Sequence, residues 1–171
     1  MPAIEKLAAN VSTVLARIGA WLVIVLIITM VYEVAARHFL NAPTIWAFEV
    51  GYMLSGSVFM LGIAFCQLHR AHIRVDFLYN RGSARKRAVI DIATYVCLVI
   101  PACGWLTYAL IEYAYEAYVI NEHSGASAWN PVVWPFRTVW AVGFGALVLQ
   151  AISDTLSAIR RFRSNADEVS A

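Results

Sequence analysis

The feature that most constrains this chain is where its charges are missing. No Asp, Glu, Lys or Arg occurs between Val50 and Leu68, or between Ile92 and Ile111. Apolar runs of about 20 residues are the length a helix needs to cross a hydrocarbon layer about 30 Å thick. Four blocks of this kind are present, at about 18–36, 45–68, 88–113 and 136–159, separated by short polar stretches. A soluble domain of this size would be about half apolar and a quarter charged, whereas this chain is 61% apolar and 14% charged. Ahead of the first block, residues 3–17 place Ile4, Leu7, Ala8, Val11, Val14 and Leu15 at helical spacing, with Glu5, Lys6, Asn10, Thr13 and Arg17 between them. That stripe suits a helix lying on the membrane surface before the chain turns in. The first block is too long for a secretory signal and lacks a clean cleavage site, so it reads as a retained span. Without internal repeats or low-complexity stretches, residues 1–171 read as a single membrane domain.

The basic residues give an orientation. Lys6 and Arg17 precede the first span, and Arg37 stands alone in the first connection. Arg70, Arg74, Arg81, Arg85, Lys86 and Arg87 crowd the second, Arg137 stands alone at the third, and Arg160, Arg161 and Arg163 follow the last span. The positive-inside rule places both termini and the middle loop in the cytoplasm. The expected fold is therefore all-α integral membrane, with four transmembrane helices, N-in/C-in, preceded by an amphipathic N-terminal helix. Pro101 near the middle of the third span should kink it. Thr44, just after Pro43, is placed to cap the second helix. The third loop is rich in Trp and Pro, and the third span is expected to extend helically into it. The net charge of +2 sits in clusters beside the spans, which points to a lipid bilayer as partner and away from nucleic acid.

An ionisable group deep in the bilayer would mark an ion or proton pathway. Here Glu33, Glu49, Asp91, Glu112 and Asp154 all fall near span ends. A proton-coupled exporter would place a carboxylate near mid-membrane, and a haem protein would place paired histidines within the spans, yet His38, His69, His72 and His123 lie outside them or at their rims. Cys66, Cys97 and Cys103 lie in apolar stretches and form no C-x-x-C pair, so they read as small packing residues. The pattern carries no catalytic residue, cofactor or metal site, and scaffolding or docking is the expected task. Gly51, Ser55 and Gly62 share one face of the second span, and Gly143 and Gly145 sit in the fourth. Small residues let membrane helices approach closely, here first of all within the chain's own bundle. Trp129, Trp134 and Trp140 fit an interfacial aromatic belt.

Two local patterns go beyond composition. The first is Arg37-His38-Phe39 followed by Thr44-Ile45-Trp46-Ala47-Phe48-Glu49, which puts Arg37 and Glu49 at one membrane boundary on neighbouring helices, where they could pair beside Trp46. The second is His69-Arg70-Ala71-His72-Ile73-Arg74-Val75-Asp76, in which His72 and Asp76 share a helix face. Together they resemble the small transmembrane subunit (DctQ-like) of tripartite ATP-independent periplasmic (TRAP) transporters, with its Arg-aromatic, Trp-x-x-Glu and His-Ile-x-Val-Asp patterns within four spans. The resemblance implies a multi-pass protein of the bacterial inner membrane. Its partners would be a large TRAP membrane subunit, which carries the sodium and substrate sites, and a periplasmic substrate-binding protein that delivers an organic acid. Arg37, Trp46, Glu49, His72 and Asp76 would then be a structural or interface motif. The alternative is a self-sufficient small proton-coupled exporter acting as a homodimer, with Glu33 or Glu49 as the coupling group.

Overall fold

The computed structural model describes residues 3–69, 89 and 92–169. Four helices are long and apolar enough to cross a membrane: α1 (Ala3–Phe39), α2 (Ala47–Leu68), α3 (Ile92–Val119) and α4 (Trp134–Val169). The described residues contain no strand, only an isolated bridge between His123 and Val132. With four helices, both termini lie at one end of the bundle, the terminal end. The α1–α2 and α3–α4 connections lie at the other, the loop end.

Asparagines punctuate the helix ends. Asn41 follows α1 in the left-handed region (φ 49°), and the Leu40 and Ala42 amides donate to the Ala36 carbonyl at 3.2 and 3.1 Å. At the end of α3, Asn121 (φ 50°) lets the Glu122 amide donate to the Ala117 carbonyl at 2.9 Å and its own amide to Tyr118 at 3.3 Å. That is a Schellman closure with Asn standing where Gly is commoner. The irregularity expected at Pro101 takes the form of a π-helical turn over Tyr95–Val99. Proline lacks an N–H and its ring crowds the carbonyl four residues earlier, here that of Cys97, and a widened turn relieves that crowding. α3 then continues to Val119, beyond the expected end of the span at Tyr113.

One expectation is overturned. Residues 3–17 do not form a separate surface helix, because α1 runs unbroken through Arg17 and Ile18 for 37 residues. No proline interrupts it, and two of its polar residues, Glu5 and Ser12, find partners along α4. Ser12 donates to Gln150 Oε1 at 3.4 Å, Ser157 donates to Glu5 at 2.7 Å, and Arg160 pairs with Glu5 at 3.3 Å. Ala8 and Ser12 are buried. At about 1.5 Å per residue, both α1 and the 36-residue α4 are longer than a bilayer core, and they run on side by side at the terminal end.

α4 is the central helix: it packs against α1, α2 and α3, while α3 lies at the edge. α2 and α4 touch nearly backbone to backbone, since a Cβ on Gly143 would collide with the Met60 carbonyl and one on Gly56 with the Phe136 ring. Gly51 backs onto Met30 of α1 and Ser55 is half-buried. Gly62, expected on the same packing face, has no atom within 4 Å of a Cβ built on it, because α2 turns Gly56 and Met60 to α4 instead. Outward, Trp21, Phe59 and Trp105 are 70%, 76% and 75% exposed. Large apolar side chains exposed to that degree on separate helices belong against lipid.

Candidate functional site

The loop end gathers most of the buried charge. Glu33, in the last turns of α1, is buried and accepts hydrogen bonds from four directions. Arg37 Nε and Nη2 donate to Oε1 at 3.0 and 2.5 Å, while the Thr44 amide donates to Oε2 at 3.0 Å and the Thr44 hydroxyl donates to the same oxygen. This geometry corrects two expectations. Arg37 does not pair with Glu49: Glu33, four residues back on the same helix face, is the nearer carboxylate. Thr44 does not cap α2 either, because its hydroxyl is spent on Glu33. The helix starts after Trp46 without a side-chain cap, and the Val50 amide donates to the Trp46 carbonyl at 3.0 Å. Trp46 itself stacks on Tyr32, ring centroids 5.9 Å apart, closing the corner between α1 and α2.

On the other side of α2 lies a cleft of about 360 Å³, lined among others by Glu49, Tyr52, Phe136, Arg137 and Trp140, with the α3–α4 loop as one wall. Glu49 is 2% exposed, and among the described residues neither of its carboxylate oxygens has a hydrogen-bond partner; the Trp140 indole N–H has none either. Arg137, also buried, reaches Glu122 through two parallel bonds of 2.6 Å and the Tyr113 carbonyl at 3.5 Å. Its guanidinium carbon lies 3.5 Å from the centroid of the Tyr113 ring. The bonds from Arg137 hold the Glu122 carboxyl below the usual carboxylate range, against the opposing effect of desolvation. The rest of the loop is tied to itself. Val133 donates to the Glu122 carbonyl at 3.1 Å and Ser124 to that of Pro131 at 3.0 Å. The Gly125 amide (φ 65°) donates to the Asn130 side chain at 2.8 Å, and His123 Nδ1 lies 2.7 Å from the Asn130 carbonyl.

At the terminal end, a network of mostly uncharged groups joins the four helices. Gln67 of α2 donates to Tyr95 of α3 at 2.7 Å and to Asp154 of α4 at 2.8 Å. Gln150 donates to Asp154 at 3.2 Å and accepts from Ser12 of α1. Of this network only Asp154 is ionic. The available signal was one glutamine in each of two otherwise apolar spans. His72 and Asp76 lie outside the described residues, as do Asp91 and the basic residues Arg70 to Arg87.

Two carboxylates thus sit at the loop end bonded within their own chain, a third faces an aromatic cleft, and the span centres carry no charge. Neither the curated proteins nor the solved structures include a match to the chain. The family model described as tripartite ATP-independent periplasmic transporters, DctQ component, matches residues 26–161, from the middle of α1 to the end of the apolar part of α4. The chain belongs to the DctQ family, the small membrane component of TRAP transporters.

Proposed function

We propose that this chain is a non-catalytic scaffold: it enlarges and steadies the static part of a TRAP transporter whose large subunit performs sodium-coupled, binding-protein-dependent uptake of an organic acid. It does so in the bacterial inner membrane, with both termini in the cytoplasm and the loop end in the periplasm. The observation that carries this reading is the lack of any acidic, basic or histidine residue at the middle of the described spans. Ion coupling needs a site whose binding energy differs between two states, and the buried Glu33 is already bonded to Arg37 and Thr44 of its own chain. Those bonds also argue against Glu33 as the coupling group of a self-sufficient exporter. Purified chain in liposomes should show no sodium- or proton-driven uptake, even with the binding protein supplied, and adding the large subunit should establish it. Uptake by this chain alone would overturn the reading. Cysteine labelling from the periplasmic side, in a background without the native cysteines, should reach a cysteine at Ser124 and miss one at Ser83. The opposite pattern would invert the orientation.

A further inference from the structure

We propose that the cleft between α2 and α4 is a socket for one basic side chain, lysine or arginine, of the large membrane subunit, with Glu49 as its counter-charge. The proposal rests on the reading of this chain as a transporter subunit and adds a point of attachment to it. Glu49 is almost fully buried, and neither of its oxygens meets a donor among the described residues. An isolated carboxylate in apolar surroundings is strongly disfavoured unless something supplies a charge or a hydrogen bond. The cation already lining the cleft, Arg137, is committed elsewhere, bonded twice to Glu122 and laid over Tyr113.

The walls narrow the choice of occupant. Phe48, Tyr52, Phe136 and Trp140 all line the cleft. Aromatic faces attract cations, and they also accommodate the long alkyl stem that carries a lysine or arginine charge. Glu49 repels an anion, and a hydrocarbon tail would leave it unmatched. The largest exposed side chains on the rim, Phe48 at 71% and Tyr52 at 60%, belong to the spanning helix α2. A membrane neighbour meets them directly, whereas a soluble protein would first meet the α3–α4 loop. A volume near 360 Å³ lies at the lower end of the range for ligand pockets, roughly 300–1,000 Å³, and fits one side chain better than a helix.

The test measures assembly of the full chain with its large subunit in nanodiscs of phosphatidylcholine and phosphatidylglycerol, lipids without primary amines. Wild type should bind, and Glu49→Gln should bind at least tenfold more weakly, while the thermal midpoint of the isolated variant stays at or above that of wild type. Glu49→Asp, which keeps the charge, should recover part of the affinity. Glu49→Gln assembling as tightly as wild type would overturn the socket and leave the scaffold reading in place. So would a binding defect that appears only once phosphatidylethanolamine is added, since the lipid amine would then be the occupant. A variant whose isolated chain loses helicity together with binding would overturn it too, by making Glu49 an internal support. Failure of wild type to bind the large subunit at all would remove the transporter-subunit reading, and the socket with it.

Discussion

Glu33 and Glu49 pose the same physical problem and receive opposite answers. Both are buried, at 8% and 2% exposure, both lie near a helix terminus, and both sit at the loop end. Glu33 is satisfied by its own chain, through an arginine one helical turn away and a threonine across the α1–α2 connection. Glu49 is surrounded by rings and has no donor from the described residues. A buried charge whose partner is present belongs to the fold, and its removal leaves the remaining charge stranded. A buried carboxyl without a partner detracts from the stability of the isolated subunit, and the proposed socket gives it a use outside the subunit. The first carboxylate therefore closes the bundle, and the second keeps a place open in it.

The sharpest way to break this comparison is to remove Glu33. Glu33→Ala strands the Thr44 amide and frees Arg37 at once, and its loss of thermal stability in detergent should exceed that of Thr44→Val or Glu122→Gln. The α1–α2 connection should loosen first, read as faster amide exchange over residues 40–46. A variant as stable as wild type would show that the corner is held by the Tyr32–Trp46 stack and not by the carboxylate. A milder version is Thr44→Val, which keeps the backbone bond and removes only the hydroxyl. Its expected loss is about 1.5–3 kcal/mol, the usual range for one hydrogen bond to a charged group, read from the same thermal scans.

The sequence made half of this comparison legible. Span number and approximate position followed from charge-free runs, because hydrocarbon thickness dictates their length, and the Arg37–Glu49 stretch was marked as a site. The pairing within it was misassigned, because boundary depth brings Arg37 and Glu49 to one level without saying which way each faces. The i, i+4 relation of Glu33 to Arg37 decides that locally. The length of α1 was missed for a related reason. An amphipathic stripe looks the same whether its apolar face meets lipid or another helix, and contacts such as Ser12–Gln150 and Glu5–Ser157 distinguish the two. The Gln67–Asp154 network was hidden because its members are mostly neutral and distant in sequence.

The comparison is sharpened from the other side by Glu49→Leu. With no bond to lose among the described residues and a buried carboxyl removed, the isolated chain should gain stability, by about 1 kcal/mol given the penalty of an unsatisfied buried polar group. The sign is the test, since Glu33→Ala must fall and Glu49→Leu must rise in the same detergent at the same pH. A drop for Glu49→Leu would place Glu49 with Glu33 as part of the fold's own support.

Glu122 stands between the two, paired like Glu33 but with its side chain 36% exposed, and it gives the smallest effect. Its folded carboxyl titrates below the usual range because Arg137 bonds to the charged form. The sign then follows: a group whose folded pKa is depressed contributes stability above its unfolded pKa, and that contribution is lost as pH falls through the folded one. Amide protection over residues 120–133 should therefore stay flat from neutral pH down to about 5 and decline only below the ordinary glutamate value of about 4.3. Glu122→Gln should show reduced protection already at neutral pH and no further acid-dependent step. A transition well above the carboxylate range would show that the Arg137–Glu122 pair does not control the loop. Arg137 would then anchor α4 without governing the loop beside the cleft. The ordering of the three carboxylates, from Glu33 bonded and buried, through Glu122 bonded at the surface, to Glu49 buried without a bond, depends on that step falling in the acid range.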